Sequence, residues 1–275
     1  MRDPLIKAKE LIALSDKENI VLIDASFDLE RYKREHLSGA LHVDLNKSLS
    51  QIEDNPANGG RHPLPEPSAF AKLLGQKGIT PESHVVVYDD KNAAMSAARF
   101  WWMLRAIGHE KVQVLDGGMK AAVALGHPVS DNKETPDPAG PYPTGSWQLP
   151  LADLNNVKQA ADSTAHKIID VREPERYQGI KEPIDLVAGH IPGADNLPFS
   201  DNLDDNGYFL PKELLKARYE KYLGETPADH TIVHCGSGVT ACHSLLAISY
   251  AGLPIPKLYV GSWSEWSRND LPIAP

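Results

Sequence analysis

The sequence predicts an α/β fold made twice: two tandem domains, each a mostly parallel sheet flanked by helices on both faces. Three observations carry this. Short runs rich in β-branched residues alternate with helix-length stretches, the pattern of parallel strands joined by helical crossovers. The alternation occurs in two rounds that match residue by residue. A polar stretch with four prolines, Ser130 to Pro143, separates the rounds and reads as a linker.

The elements follow in order. Val21-Leu22-Ile23-Asp24-Ala25 is a buried strand ending in Asp, followed by Arg31-Tyr32 and then the turn His36-Leu37-Ser38-Gly39-Ala40. In the second half, Ile168-Ile169-Asp170-Val171-Arg172 is followed by Arg176-Tyr177 and then Gly189-His190-Ile191-Pro192-Gly193-Ala194. Asp170 stands 146 positions after Asp24. The same offset carries His84-Val85-Val86-Val87-Tyr88 onto His230-Thr231-Ile232-Val233-His234. The first of these precedes a helical stretch from Ala93 to Ala106, the second one from Thr240 to Ala251. Val112-Gln113-Val114-Leu115 with Gly117-Gly118 then pairs with Lys257-Leu258-Tyr259-Val260 with Gly261. The unit is domain-sized, so the chain is a duplicated domain and not a solenoid. The expected division is 1–130, a linker at 131–146 with the change of domain near 140, and 147–275.

Bulk composition narrows the function. A net charge of −9, with no block dense in Lys and Arg, argues against a nucleic-acid partner. The start has Lys7, Lys9 and Glu10 where an export signal needs apolar residues, and no run is long enough to span a membrane. A cytoplasmic protein without a membrane partner is expected. Two cysteines, Cys235 and Cys242, make a poor disulfide framework and lack zinc-ligand spacing. The stretch from Asp201 to Gly207 has a partial calcium-loop pattern, but Leu203 occupies a place that needs oxygen, so it reads as a turn. No metal and no cofactor is assigned.

Cys235 is the focus. The repeat sets it opposite Asp89, so Tyr88-Asp89-Asp90-Lys91-Asn92 stands where the second half has His234-Cys235-Gly236-Ser237-Gly238. The scaffold is doubled but the thiol is not: the first half is expected to be catalytically inactive. A cysteine is often no more than a small buried apolar residue, and that is the reading given to Cys242, in a run with Leu245, Leu246 and Ile248. Cys235 differs because it ends a strand, where α/β sheets bind ligands. Gly236 and Gly238 allow a tight concave loop, whose N–H groups, with the tip of the helix beginning near Thr240, would stabilise a sulfur anion.

These residues resemble the rhodanese superfamily of sulfurtransferases over nearly the whole chain. The strongest motifs are Cys235 to Ala241, Gly189 to Ala194, and Gly261-Ser262-Trp263-Ser264-Glu265-Trp266. Phe100-Trp101-Trp102-Met103-Leu104-Arg105 and Leu115-Asp116-Gly117-Gly118 also fit. The tandem arrangement is similar to the thiosulfate and 3-mercaptopyruvate types, and Cys-Gly-Ser-Gly-Val-Thr, without basic residues after the cysteine, to the latter. The resemblance implies transfer of sulfane sulfur from 3-mercaptopyruvate through a Cys235 persulfide, with pyruvate released. The acceptor would be a thiol, such as a thioredoxin-like protein or a small thiol, or cyanide. It implies Cys235 as nucleophile and Ser237, His62 and Asp44 as a proton relay, although the family's second acidic position is Asn46 here. It implies Arg172, with Arg176 as a second candidate, for the substrate carboxylate, and Gly236, Gly238, Val239 and Thr240 for the loop that holds the outer sulfur.

Three rivals stand beside this. Thiosulfate could be the donor on the same fold. A Cys-based phosphatase would need an arginine six positions past the cysteine, where Ala241 stands. A non-catalytic carrier or binding module suits the half that has Asp89. The tryptophans Trp101, Trp102, Trp263 and Trp266 are expected in the core.

Overall fold

The computed structural model describes residues 2–15, 20–143 and 145–275; Thr144, within the expected linker, falls outside the described residues. The chain forms two compact units. The first comprises Met1–Ser50, Pro65–Gln148 and Asp205–Tyr208; the second comprises Gln51–Leu64, Leu149–Asp204 and Phe209–Pro275. The division is therefore not a single cut: fourteen residues of the first sequence repeat, Gln51–Leu64, belong to the second unit.

The first unit contains strands β1 (Leu5–Lys7), β2 (Ile20–Asp24), β3 (His36–Leu37), β4 (Leu41–His42), β5 (His84–Tyr88), β6 (Val112–Asp116) and β7 (Val129–Ser130). Five of these form a sheet in the order β1-β6-β5-β2-β4, with every pair parallel. β3 and β7 form a small antiparallel pair. Its helices are α1 (Ala8–Ser15), α2 (Leu29–Arg34), α3 (Leu45–Ser48), α4 (Pro67–Gln76), α5 (Ser96–Ala106) and α6 (Gly118–Ala124). Every residue of β5 and β6 is buried, as a parallel strand covered on both faces requires.

The second unit repeats this plan. Its strands are β8 (Leu151–Ala152), β9 (Lys167–Asp170), β10 (Ala194–Asn196), β11 (Thr231–His234) and β12 (Lys257–Tyr259). They lie in the order β8-β12-β11-β9-β10, again all parallel. The helices are α7 (Leu154–Ala161), α8 (Pro174–Tyr177), α9 (Lys212–Leu223), α10 (Thr240–Tyr250) and α11 (Ser262–Trp266). Even the register is shared: Asp24 sits beside Tyr88 in one sheet and Asp170 beside His234 in the other. The core under one face of the second sheet holds Val157, Ile168, Ile191, Ile232, Trp263 and Trp266, and Trp101 and Trp102 are fully buried in the first unit. No helix among the described residues is long and apolar enough to cross a membrane.

The loop after β5 shows what this fold builds at the end of that strand. Asp89 turns its carboxylate back into its own loop. Lys91 and Ala93 donate their backbone N–H groups to Oδ1 at 2.8 and 3.0 Å, and Met95 and Ala97 donate to Oδ2 at 3.3 and 3.1 Å. Asn92 and Ala93 adopt positive φ, of 54° and 58°, to aim those groups inward. Burial pushes the carboxyl of Asp89 above its ordinary range, and the bonds from Ala97, Lys91 and Ala93 act against that push. The loop is an anion nest, and here the chain supplies the anion.

Asp89→Ala should therefore destabilise the first unit by about 1–3 kcal/mol for each N–H that solvent fails to reach. Asp89→Asn should also destabilise it, because an amide NH₂ would face N–H donors. Thermal unfolding of the three proteins measures this, and an unchanged Tm in both variants would contradict it.

Candidate active site

In the second unit the chain leaves β11 at His234 and enters the loop Cys235 to Val239, which ends at the first turn of α10. Cys235 is 3% exposed, and neither cysteine is in a disulfide. Backbone clamps from the start of α11 fix the loop. Ser262 Oγ accepts the N–H of Cys235 at 3.2 Å and donates its own hydrogen to Tyr259 O at 2.8 Å. The N–H groups of Trp263 and Ser264 donate to the carbonyls of Cys235 and Gly236 at 3.0 and 2.9 Å. Ser262 pays for this position with a φ of 54°, unusual for a residue other than glycine. Gly238 takes φ +71°, and a methyl there would stand 2.5 Å from Val260 O, so only glycine fits. Val239 is buried ahead of α10, Thr240 begins that helix, and Cys242, fully buried, reaches the carbonyl of Gly238 with its Sγ at 3.4 Å.

The contrast with Asp89 lies in the loop's hydrogens. Among the described residues, the N–H groups of Gly236, Ser237 and Val239 donate no hydrogen bond, although all three residues are buried. The first unit fills its nest with its own carboxylate. The second puts a one-carbon thiol at the same strand end and leaves these donors without an internal acceptor. Buried N–H groups of this kind are costly unless an anion or water meets them.

Ser237 and His62 are brought together. Ser237 Oγ lies 2.8 Å from His62 Nδ1, a hydrogen bond whose donor depends on the imidazole tautomer. Both residues belong to the second unit, because His62 lies in Gln51–Leu64. That segment is also tied to α11. The N–H of Gly59 donates to Glu265 Oε1 at 2.9 Å, the N–H of Arg61 donates to Ser264 Oγ at 3.1 Å, and Asn269 Nδ2 donates to Ala57 O at 2.9 Å. Gly60 has φ +82° and would bring a methyl within 2.4 Å of Gly261 O. Asp44, expected as the relay acid, belongs to the first unit. There it caps α3, accepting the N–H of Lys47 at 2.9 Å.

Arg172, expected to bind the substrate carboxylate, is 2% exposed, and each of its guanidinium nitrogens has an acceptor within the protein. Nε and Nη2 bind the Asp170 carboxylate at 3.0 and 2.6 Å, Nη2 also binds Gly189 O at 2.7 Å, and Nη1 binds Glu182 at 3.3 Å. Its plane lies 4.7 Å from the ring of Trp263. Arg172 is a strut between β9, the Gly189 turn and α11. Burial alone would raise the carboxyl of Asp170, but the neighbouring His234 and Arg172 hold it below the ordinary range. Burial pushes the His234 ring below its ordinary value, against the pull of the Asp170 carboxylate.

Arg176 stands differently. Its Nε and Nη2 bind Glu182 at 3.0 and 2.8 Å, and its side chain remains 16% exposed. A methyl built on Gly236 would lie 3.4 Å from its Nη1 and Nη2, which places this guanidinium over the loop. Burial would raise the Glu182 carboxyl, but the Asp185 N–H, Arg176 and the Ile184 N–H outweigh it and hold Glu182 ionised. Three residues here escaped the sequence reading: Glu182, Asp185 and Arg61. Asp185, with a side chain 0% exposed, pairs with Arg61 at 3.1 Å, Arg176 at 3.3 Å and Arg268 at 3.0 Å. The one available signal was that Arg61 adjoins His62 in Gly-Gly-Arg-His-Pro-Leu-Pro.

Known proteins resemble this chain across both units. The rhodanese-like domain family matches residues 7–125 and 153–269. A probable 3-mercaptopyruvate sulfurtransferase of Pseudomonas aeruginosa is 39% identical over 270 residues, covering 95% of this chain and 94% of that protein. A thiosulfate sulfurtransferase of Mus musculus is 34% identical over 247 residues, covering 88% and 81%. Among solved structures, the 3-mercaptopyruvate sulfotransferase SseA of Escherichia coli superimposes with a TM-score of 0.76 at 30% identity, covering 96% of this chain and all of the other.

The Asp170–Arg172 pair has a pH signature. Because the folded pKa of Asp170 is lowered, its stabilisation is complete above the unfolded carboxyl value of about 4 and is lost as pH falls through the folded value. Asp170→Asn should cost about 3–5 kcal/mol near pH 7 by removing the buried carboxylate that pairs most closely with Arg172. The deficit should shrink in acid; denaturant titrations at the two pH values measure it, and a loss independent of pH would contradict the assignment.

Proposed function

The chain belongs to the rhodanese-like domain family and is a sulfurtransferase, and on that premise we propose that Cys235 takes sulfur from 3-mercaptopyruvate and passes it to a thiol or to cyanide. The observation that carries this is the unfilled nest at Cys235, set against the same nest filled by Asp89 in the other unit. A persulfide, Cys–S–S⁻, would extend one sulfur beyond Sγ and present its charge to the N–H groups of Gly236, Ser237 and Val239, with Gly238 and Thr240 shaping the turn. Such donors act on sulfur anions as they do on an oxyanion.

The chemistry follows in two halves. The Cys235 thiolate attacks the donor's sulfur, an S–S bond forms, and the C–S bond breaks with its electron pair going to the enolate of pyruvate. The hydrogen of the donor's thiol then moves to that carbon, leaving the persulfide anion and pyruvate. Ser237 and His62, 2.8 Å apart, are suited to carry this proton. In the second half an acceptor thiolate or cyanide attacks the outer sulfur and restores Cys235, so the kinetics are ping-pong. Arg176 replaces Arg172 as the carboxylate binder. The first unit lacks a nucleophile at Asp89 and has no part in the bond changes. We place the reaction in the cytoplasm, where two cysteines outside any disulfide stay reduced, with a thioredoxin-like protein or a small thiol as acceptor.

Thiosulfate is the second donor to compare, because a relative at 34% identity is named for it. Sulfur leaves sulfite without any carbon being protonated, so the relay separates the two donors. Incubation with mercaptopyruvate should add one sulfur to Cys235 by mass spectrometry, and Cys235→Ala should neither gain it nor release pyruvate. His62→Ala should slow mercaptopyruvate turnover by about 10²- to 10⁴-fold, the usual worth of general acid–base help. With thiosulfate the same variant should fall only a few-fold. Pyruvate release by Cys235→Ala at the parent rate would sink the proposal.

A further inference from the structure

Seven charged side chains form one ion-paired network beside the Cys235 loop: Arg61, Arg172, Arg176 and Arg268 with Asp170, Glu182 and Asp185. Four guanidiniums against three carboxylates leave one positive charge. That charge has a location. Arg172 is buried with every guanidinium nitrogen engaged, and Arg268 points its Nη1 at Asp185 and Ser264 O. Arg61 and Arg176 are the partly open members, with side chains 24% and 16% exposed. Asp185 binds Nε and Nη2 of Arg61, and Glu182 and Asp185 bind Nε and Nη2 of Arg176. Among the described residues, Nη1 of each donates no hydrogen bond. The two guanidiniums converge over Gly236: a methyl there would stand 3.1 Å from Arg61 Nη2 and 3.4 Å from both Nη atoms of Arg176. The glycine after the nucleophile is thus what lets two cations come down beside it.

We propose that Arg61 is a substrate-binding residue, which grips the donor's carboxylate together with Arg176, and that Asp185 is a positioning residue that orients both guanidiniums and limits the site to one anionic group. The inference rests on the reading of the donor as a mercapto keto acid. Two arginines that keep an N–H pair free can hold a carboxylate with parallel, charge-assisted bonds. Asp185, wholly buried among three arginines, cancels enough charge that a monoanion neutralises the network and a dianion overfills it. The segment that brings His62 to Ser237 then supplies the carboxylate clamp as well.

The test compares three donors: mercaptopyruvate, mercaptoacetone, which replaces the carboxylate with a methyl group, and thiosulfate. Arg61→Gln should raise KM for mercaptopyruvate about 10- to 100-fold, the range for a lost charged hydrogen bond, with kcat changed only a few-fold. Mercaptoacetone kinetics should be unaltered. Damage to the fold would depress both donors alike, so their ratio isolates the carboxylate contact. Arg61→Lys, which keeps the charge but not the fork, should fall between parent and Arg61→Gln. Asp185→Asn should raise the ratio of kcat/KM for thiosulfate over mercaptopyruvate by at least about tenfold, as one more positive charge favours the dianion. Equal effects of Arg61→Gln on mercaptopyruvate and mercaptoacetone would overturn the role of Arg61, and an unmoved donor ratio in Asp185→Asn would overturn that of Asp185. If the parent enzyme fails to turn over mercaptopyruvate at all, the reading of the donor falls first and this inference falls with it.

Discussion

The buried N–H groups of Gly236, Ser237 and Val239 are the constraint on which the rest of the second unit depends. A loop cannot keep such donors turned inward by itself, because each would gain from meeting a carbonyl or water. The start of α11 removes that freedom. Its Ser262 hydroxyl and its Trp263 and Ser264 N–H groups take up the N–H and carbonyl of Cys235 and the carbonyl of Gly236. Gly238 adds a turn that no side chain could make against Val260. What remains unpartnered is the set of N–H groups in the loop that follows the sulfur.

The same anchoring explains how residues remote in sequence share one site. Arg61 and Gly59 reach Ser264 and Glu265, on the same short helix that clamps the cysteine loop. His62 follows and meets Ser237. Nucleophile loop and proton carrier are thus both measured from α11. Positional errors between them are those of one short helix, well below what a chain connection through separate elements would allow, and catalysis is sensitive to displacements of about 1 Å.

Much of this was legible in the sequence, for identifiable reasons. The doubled sheet shows because β-branched runs recur with Asp24 and Asp170 at matching strand ends. The cysteine loop shows because its glycines and its strand-end position carry a mechanism by themselves. The course of Arg172 was not legible because its place after Asp170 says nothing about where its guanidinium turns; the fold shows it doubling back onto Asp170 and lying against Trp263. The Gly261 to Trp266 motif read as core, and its tryptophans are core. Its clamping function uses backbone groups and small hydroxyls, which leave little mark on a hydropathy pattern. Arg61 was hidden because 175 residues separate its neighbour His62 from Ser237, and a fourteen-residue exchange between units has no periodicity to announce it.

The placement of Gln51–Leu64 in the second unit has a consequence for how such enzymes can diversify. A short stretch of chain, fastened to α11 by a few hydrogen bonds and flanked on both sides by residues of the other unit, is a replaceable insert. Its length and sequence can drift without disturbing either sheet, since no strand runs through it. Selection could thus exchange the proton carrier and one charged contact in a single step, while nucleophile, nest and α11 stay as they are. Donor choice would then evolve as a cartridge, independently of the sulfur-holding machinery.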